Sequence, residues 1–567
     1  MKYSLREAIA EKPTDFSAFS DTVSSLLLSR GVANLKDAQA FLVPDYDAHT
    51  HDPFLMKDMD RVVERVYKAV KNGEKIIVYS DYDMDGIPGA VVLHDALKKV
   101  GCTTFENYIP HRHDEGFGLH KDAIDSFKES GADLIITIDC GITNVAEVAH
   151  ANSLGIDIII TDHHMPHEVL PAAFAILNPK VGGCAYPEKM LCGSGVIFKF
   201  VQALYKKYGA EFNIKEGWEK WSLDLVGMAT LSDMVPLTGE NRVFARYGLD
   251  VLKKTRRVGL SRLLYKLKVK REHICEDDIG FTIAPRINAA SRMGEPLAAF
   301  NLLSTDDETL AGGYADVLEA VNNERKGTVA SLVKEIRKKL AERDISNKKV
   351  IVIGNPSWRP SLLGLVANPL ADEFGKPAFL WGRDGDDKIK GSVRSGGKSN
   401  IVAIMEGAKE HFTHFGGHAM AGGFEVKNEM IFTLDEALNS AAEKLGTVVE
   451  EKVGLVDAHI SLEDVSWNLY KDIDKLAPFG TGNPKPLFLI KGAQIEEVKS
   501  FGKEKNHIEI LFRDRLGRKV SAIQFFVSKS SLPTHVQAKS AIDFVAHLEK
   551  STFKNYPELR LRIVDIL

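Results

Sequence analysis

The sequence predicts a multidomain α/β protein: a parallel-sheet domain, a smaller α/β unit reached through a long helix, and an all-β barrel at the C-terminus. Three observations carry this. Short apolar runs, Ile76–Tyr79, Leu134–Ile138 and Ile156–Thr161, recur between helix-length segments, the pattern of strands buried on both faces. A strongly helical stretch follows at 304–345, with Leu318, Val321, Val329, Leu332 and Ile336 as its apolar stripe. Five strand-like runs (487–498, 507–514, 519–526, 541–549 and 558–567) then fill the C-terminal stretch, as in an OB-fold barrel.

Each apolar run of the first domain ends in acid. The first leads into Asp81-Tyr82-Asp83-Met84-Asp85-Gly86, the second into Asp139-Cys140-Gly141 and the third into Asp162-His163-His164. In open parallel sheets, ligands bind beyond the carboxyl ends of the strands. So many like charges at one edge would repel and raise one another's pKa unless a cation held them together. Carboxylates with imidazoles suit Mn²⁺ or Mg²⁺ better than structural zinc. Asp83 and Asp85 lie two apart, so both can face one site, and Gly86 permits a tight turn. A calcium loop would want a glutamate six residues after that glycine, where Val92 stands.

These motifs, with Leu231-Ser232-Asp233-Met234-Val235-Pro236-Leu237 as a fourth, resemble those of the DHH phosphoesterase superfamily. Within it the chain is most similar to the single-strand-specific 5′→3′ DNA exonucleases, over nearly its whole length. Asp233 alone reads as a loop or capping residue; the resemblance makes it a fourth carboxylate of the site.

Composition is ordinary globular usage, 44% hydrophobic and 27% charged. At 567 residues the chain is too long for one core. Its five cysteines, Cys102, Cys140, Cys184, Cys192 and Cys275, show no Cys-x-x-Cys spacing, which points to reduced, packed thiols in a cytoplasmic protein. Neither a signal-peptide core nor a bilayer-length apolar stretch is present. A net charge of −5 does not announce a nucleic-acid binder, but metal-binding acids weigh against that total and the cations need only be local.

In chain order, residues 1–70 read as a helical preface and 71–265 as the catalytic DHH domain. After Asp85, the helix containing Gly89–Leu97 starts at the site, where backbone N–H groups favour phosphate. The loop Pro110–Leu119 resembles the family's Arg-x-x-x-Gly-Tyr-Gly-Leu segment, with Phe117 for the tyrosine, and makes Arg112 a phosphate contact. Leu191-Cys192-Gly193-Ser194-Gly195-Val196 looks like the family's glycine-rich helix start, although helix packing explains it equally well. A connecting segment spans 266–345. Its Pro285-Arg286-Ile287-Asn288-Ala289-Ala290-Ser291-Arg292 resembles a family segment with glycine at 291, and offers Arg286 and Arg292 to phosphate.

Residues 346–450 look like the DHHA1 substrate-binding domain, in which Ser392, Arg394, Ser395 and the loop Gly416-Gly417-His418 bring donors and close backbone approach. Here Trp358-Arg359-Pro360-Ser361-Leu362-Leu363-Gly364 departs from the family's Trp-His-x-Gly-Val-Ile-Gly. A linker and the OB-fold occupy 451–567. From 487 onward there are 14 Lys and Arg against 9 Asp and Glu, a net +5. Lys499, Lys503, Lys505, Arg513, Arg515, Arg518 and Lys519, interleaved with Phe501 and Phe512, suit backbone attraction and base stacking.

The resemblance implies a two-metal exonuclease that cuts single-stranded DNA to 5′-mononucleotides in repair and recombination. Asp83, Asp85, Asp139, His163, His164 and Asp233 would hold two Mn²⁺ or Mg²⁺ ions, with Asp81 and Asp162 beside or among them. Relatives often carry histidine where Tyr79 stands. Single-stranded DNA is the expected partner, with a single-strand-binding protein or helicase as an associate and a monomer as the state. A DHH phosphodiesterase of short oligonucleotides or cyclic dinucleotides is the alternative; such enzymes need no basic barrel. A catalytically dead scaffold would leave the clustered carboxylates destabilising and unused.

Overall fold

The computed structural model describes residues 3–6, 13–383, 388–396, 399–446, 454–502, 504–552 and 556–567. They form two compact units, one of His51–Asp233 and Tyr247–Glu450, the other of Met1–Thr50, Met234–Arg246 and Glu451–Leu567.

The larger unit is built on five parallel strands: β1 (Ile76–Ser80), β2 (Phe105–Tyr108), β3 (Leu134–Ile138), β4 (Asp157–Thr161) and β5 (Ala175–Leu177), in the order β2-β1-β3-β4-β5. Every residue of β1 and β3 is buried, which explains their unbroken apolar sequence. The register aligns Ser80, Ile138 and Thr161 across β1, β3 and β4. The next residues are Asp81, Asp139 and Asp162. Their N–H groups continue the ladder onto the carbonyls of Ile138, Thr161 and Leu177, at 3.1, 2.9 and 3.1 Å. Three acids therefore stand side by side, at strand spacing, along one sheet edge.

Helix α1 (Gly86–Lys99) leaves that edge and packs on α2 (Gly193–Tyr208). Beyond the sheet, α3 (Ala284–Met293) leads to the 34-residue α4 (Glu308–Ala341), capped by Asp307, whose carboxylate accepts from the N–H groups of Thr309 and Leu310. The long helix has two apolar faces in succession. Its first half rests on α3 and on Val258–Lys266, whereas Leu332, Ile336 and Leu340 enter the core of the second α/β sheet. That sheet runs 412–417, 421–426, 389–394, 378–383, 351–354, and only its last pair is parallel. Helix α5 (Pro360–Phe374) covers it.

In the smaller unit, strands Phe488–Phe501, His507–Arg513, Lys519–Phe525, Ala541–Ser551 and Glu558–Ile566 close into a barrel of OB type. The long first strand bends at register shifts and pairs on both sides. The N-terminal helices are part of this unit: Phe16, Leu27 and Phe41 share one core with Ile490, Phe512 and Phe544, and Tyr3–Leu5 pairs with Gly454–Val456. Arg242 ties the three chain segments together. Its buried guanidinium lies 3.7 Å from the Phe41 ring centroid and donates to the carbonyls of Phe41, Leu476 and Ala477. Among the described residues no helix is long and apolar enough to cross a membrane. Cys102, Cys140 and Cys192 are buried; Cys184 is half-buried and Cys275 exposed, and all five thiols are free.

Arg242→Met leaves those buried carbonyls without donors and is expected to destabilise the smaller unit by about 3 kcal/mol or more. Hydrogen exchange read by mass spectrometry should speed up across the barrel and the 35–42 helix while the parallel sheet keeps its protection. Unchanged exchange in the barrel contradicts this role.

Candidate metal centre

At the edge of the parallel sheet the strand ends turn sharply. Asp83 caps the turn after β1, its Oδ1 accepting from the N–H groups of Asp85 (2.7 Å) and Gly86 (3.2 Å). A Cβ at Gly86 would collide with the Asp81 carbonyl. Asp139 has φ 60° and Gly141 φ 110°, left-handed backbone that turns the chain within three residues of β3. Gly193 meets Asp139 so closely that a Cβ there would lie 2.6 Å from its Cβ and Oδ1.

The glycine-rich start of α2 turns out to serve protein rather than phosphate. The N–H groups of Gly193 and Ser194 donate to the two oxygens of Asp85 at 2.5 and 2.7 Å, and Ser194 Oγ donates to the Asp85 carbonyl. A helix N-terminus thus holds one carboxylate of the cluster in place.

Three groups of side chains bring potential ligand atoms within 4.8 Å of one another: Asp81, Asp83 and Asp139; Asp139, His163 and His164; and Asp85, His163 and Asp233. Asp139 and His163 are shared. His163 Nε2 lies 3.1 Å from Asp139 Oδ1, 3.7 Å from Asp233 Oδ2 and 3.8 Å from Asp85 Oδ2. Asp162, one of the acids singled out by the sequence, is committed elsewhere. Its Oδ1 accepts from His163 N, His164 N and His164 Nδ1, and its Oδ2 from Ile142 N. It orients the histidines and, by accepting from Nδ1 of His164, directs that ring's Nε2 away from itself.

The electrostatics divide the same way. Burial, then the neighbouring acids, push Asp81 and Asp139 well above the usual carboxylate range. Burial raises Asp85 too, against the pull of His163 and the α2 amides. Burial and repulsion from Asp85 and Asp83 push Asp233 up to about 8. Asp162 alone is lowered: burial opposes this, but the His164 hydrogen bond prevails. Asp81 Oδ1, Asp139 Oδ1 and His163 Nδ1 are buried without a hydrogen-bond partner. Unpartnered carboxylate oxygens that cannot ionise cheaply, beside imidazole, fit a divalent cation by charge and by donor type.

Several supporting residues carried no signal in the sequence. Tyr79 is buried, stacked on Tyr108, and donates its hydroxyl to the Gly118 carbonyl at 2.7 Å; it anchors the Pro110–Leu119 loop. Asn288 Oδ1 accepts from Met84 N at 2.8 Å, pinning the turn between Asp83 and Asp85. Asn178 Nδ2 and Lys180 Nζ donate to the carbonyls of His164 and His163.

The expected phosphate contacts fare unequally. The Arg112 guanidinium sits 4.8 Å from the Tyr82 ring centroid, and its charge is felt by Asp81 and Arg292. Arg292, lowered to about 10 by burial and Arg112, donates from Nη1 to the Ser361 carbonyl, and Ser361 Oγ donates back to the Arg292 carbonyl. That exchange gives Ser361 a structural use in place of the family's glycine. Ser291, likewise at a family glycine, lies buried within α3. Arg286 is drawn into a tie between α3 and α4, its Nε on Glu319 and its Nη1 on the Thr282 carbonyl.

Arg394 lies against α5, where a Cβ at Gly364 would stand 2.8 Å from its Nη2. Ser392 is half-buried on the same strand, whereas Ser395 is buried against Met420. Gly416 and Gly417 end the exposed edge strand of the sheet, and the exposed His418 follows it.

On the barrel, Phe512 faces the core, fully buried and stacked on Phe544, so the expectation that it stacks on bases is overturned. Lys499, Arg513, Arg518 and Lys519 pair with Glu497, Glu496, Asp514 and Glu496, and Lys503 lies outside the described residues. The aromatic cluster at the barrel surface is instead Phe501, His507 and Phe525, half-buried, with the exposed Phe526, and Arg560 lies 5.6 Å from the Phe525 ring centroid. Phe526 is 84% exposed at φ 60°, a conformation that bulky residues seldom adopt.

Comparison with known proteins follows this division. The family models that match are the DHH family N-terminal domain over residues 75–230, the DHHA1 domain over 347–451 and the RecJ OB domain over 456–565. The single-stranded-DNA-specific exonuclease RecJ of Bacillus subtilis is 35% identical over 547 residues, 96% of this chain and 67% of the relative. That of Salmonella typhimurium is 31% identical over 447 residues, 76% of this chain and 78% of the relative. This chain belongs to the RecJ family. Among solved structures, RecJ from Thermus thermophilus in complex with Mn²⁺ superposes with TM-score 0.82 at 25% identity, covering 100% of this chain and 79% of the other. An exonuclease RecJ bound to manganese gives 0.59 at 30% identity, covering 69% of this chain and 95% of the other.

The raised carboxyls set a pH dependence. A folded acid with a raised pKa keeps a proton that the unfolded chain has lost, so its contribution is complete below about pH 4 and is lost as pH climbs through the folded value. For Asp233 that window closes at about 8. His163, lowered by burial, works the opposite way near neutrality, whereas His164, raised against burial by Asp162, falls with the four acids, so one group stands against five. The Tm of the metal-free protein should fall between about pH 5 and about pH 8, and the rise produced by Mn²⁺ should grow over the same interval. An equal Mn²⁺ effect at both ends contradicts the assignment.

Proposed function

We propose that this chain is a divalent-metal-dependent exonuclease that digests single-stranded DNA from its 5′ end and releases 5′-mononucleotides. The observation that carries the reading is the set of buried, unpartnered Asp and His atoms at the sheet edge, in a chain of the RecJ family. Asp81, Asp83 and Asp139 would hold one cation and Asp85, His163 and Asp233 a second, and His164 is grouped with Asp139 and His163 as a further ligand. Bound Mn²⁺ or Mg²⁺ acidifies water and withdraws charge from the phosphoryl oxygens.

The chain's own residues do the rest. Asp162 orients His164, Asn288 and the start of α2 hold the acids of the turn, and Lys180 and Asn178 hold the histidine loop. Arg112 and Arg292 offer cations to the phosphate at the site; Arg394, Ser392 and the exposed segment Gly416-Gly417-His418 suit the phosphates that follow. The aromatic and basic surface of the barrel suits stacking of a single strand. Preference for DNA over RNA rests on the family. A cytoplasmic monomer serving repair and recombination, with a single-strand-binding protein or helicase as associate, is the setting this reading implies.

With Mn²⁺, a long 5′-phosphorylated single strand should be degraded to mononucleotides and the matching duplex spared, and Asp139→Ala should abolish the activity. In the same assay, Phe525→Ala with Phe526→Ala should raise KM for the long strand severalfold with kcat kept. Efficient cleavage of dinucleotides alone would favour the short-oligonucleotide reading instead.

A further inference from the structure

At the far end of α1 from the metal centre lies a cavity of about 420 Å³, a size that takes a small-molecule ligand. The 14-residue helix separates it from Asp85 by about 20 Å. Its floor is a closed ion network: Arg257 donates to Asp95 at 2.6 Å and to Asp224 at 3.3 Å, and Thr255 Oγ1 donates to Asp224 at 2.6 Å. Those acids are therefore used.

The rim is different. Lys98, Lys99 and Arg256 line the cavity and make no ion pair among the described residues. Two of them rest on indoles: Lys99 Nζ lies 4.1 Å from the Trp218 ring centroid and the Arg256 guanidinium 3.7 Å from that of Trp221. A guanidinium held 3.7 Å over an indole by its cation–π contact is restrained without spending its N–H donors on another side chain, so they stay available to an anion. Charge and aromatic wall are thus presented together, with donors already oriented for phosphate. Of the lining acids outside that network, Glu219 is raised by burial and Asp306 stands exposed to solvent.

We propose that this cavity binds a nucleoside 5′-monophosphate, the phosphate on Arg256, Lys99 and Lys98 and the base between the indole edges and Leu303. The choice of ligand rests on the reading that the chain releases mononucleotides; the cavity's preference for an anion joined to an aromatic ring does not. Bound there, the product would sit against the last turn of the helix that begins directly after Asp85 of the metal centre.

The test uses the full chain in EDTA, so that the metal centre is not loaded and nothing turns over. Titration with dAMP, followed by calorimetry and tryptophan fluorescence, should show saturable binding. Arg256→Ala and Lys99→Ala should each weaken it at least about tenfold with Tm preserved. Inorganic phosphate should bind more weakly than dAMP. No saturable binding at millimolar dAMP, undiminished binding in both variants, or phosphate binding as tightly as dAMP would overturn the proposal. Arg256→Ala should still digest a single strand with Mn²⁺ at the wild-type rate; loss of that activity would put Arg256 on the main substrate path and overturn a separate site. Failure of dAMP binding leaves the exonuclease assay unaffected.

Discussion

The structure turns on mutual repulsion among carboxylates that the backbone ladder forces together. Asp81, Asp139 and Asp162 follow directly on aligned residues of three neighbouring parallel strands, so their spacing is set by main-chain hydrogen bonds and cannot relax. One acid is neutralised locally by His164 and backbone amides. Asp81 and Asp139 each keep a buried oxygen that nothing in the protein satisfies, and Asp83, Asp85 and Asp233, gathered from the following turn and from the helix ending at Ser232, add their charge beside them. A site of this kind is unfavourable when empty and favourable when filled by cations, so burial becomes selectivity for metal.

Much of this was legible in the sequence because strand geometry has few free parameters. A buried parallel strand must be apolar throughout, its end is marked by the first charge, and ligands gather at that end. The residues that steady the acids were not legible. Asn288 reaches Met84 across more than two hundred residues of sequence, and Tyr79 shows its role only once Gly118 is folded against it. Arg286 was singled out for phosphate by its resemblance to a family segment; the Glu319 that pairs with it comes from α4, more than thirty residues on.

The barrel teaches a related lesson. Ile508, Ile510 and Phe512 alternate with Glu509, Leu511 and Arg513, and period two puts the first three in the core, so Phe512 could have been excluded as a stacking residue by parity alone. Charge counting misled for another reason. Glu496 lies on the strand beside Arg513 and Lys519, and cross-strand pairing of this sort follows from register, which composition does not contain. The membership of Phe16, Leu27 and Phe41 in the barrel's core was likewise hidden, since amphipathic helices do not name their partner.

The central claim is that the acids and imidazoles of the sheet edge exist to hold divalent cations. Anomalous diffraction from crystals soaked in Mn²⁺ tests it most directly. Two peaks are expected, one bounded by Asp81, Asp83 and Asp139 and the other by Asp85, His163 and Asp233. A map with no peak among these residues, their carboxyls protonated and bonded to one another, would contradict the account.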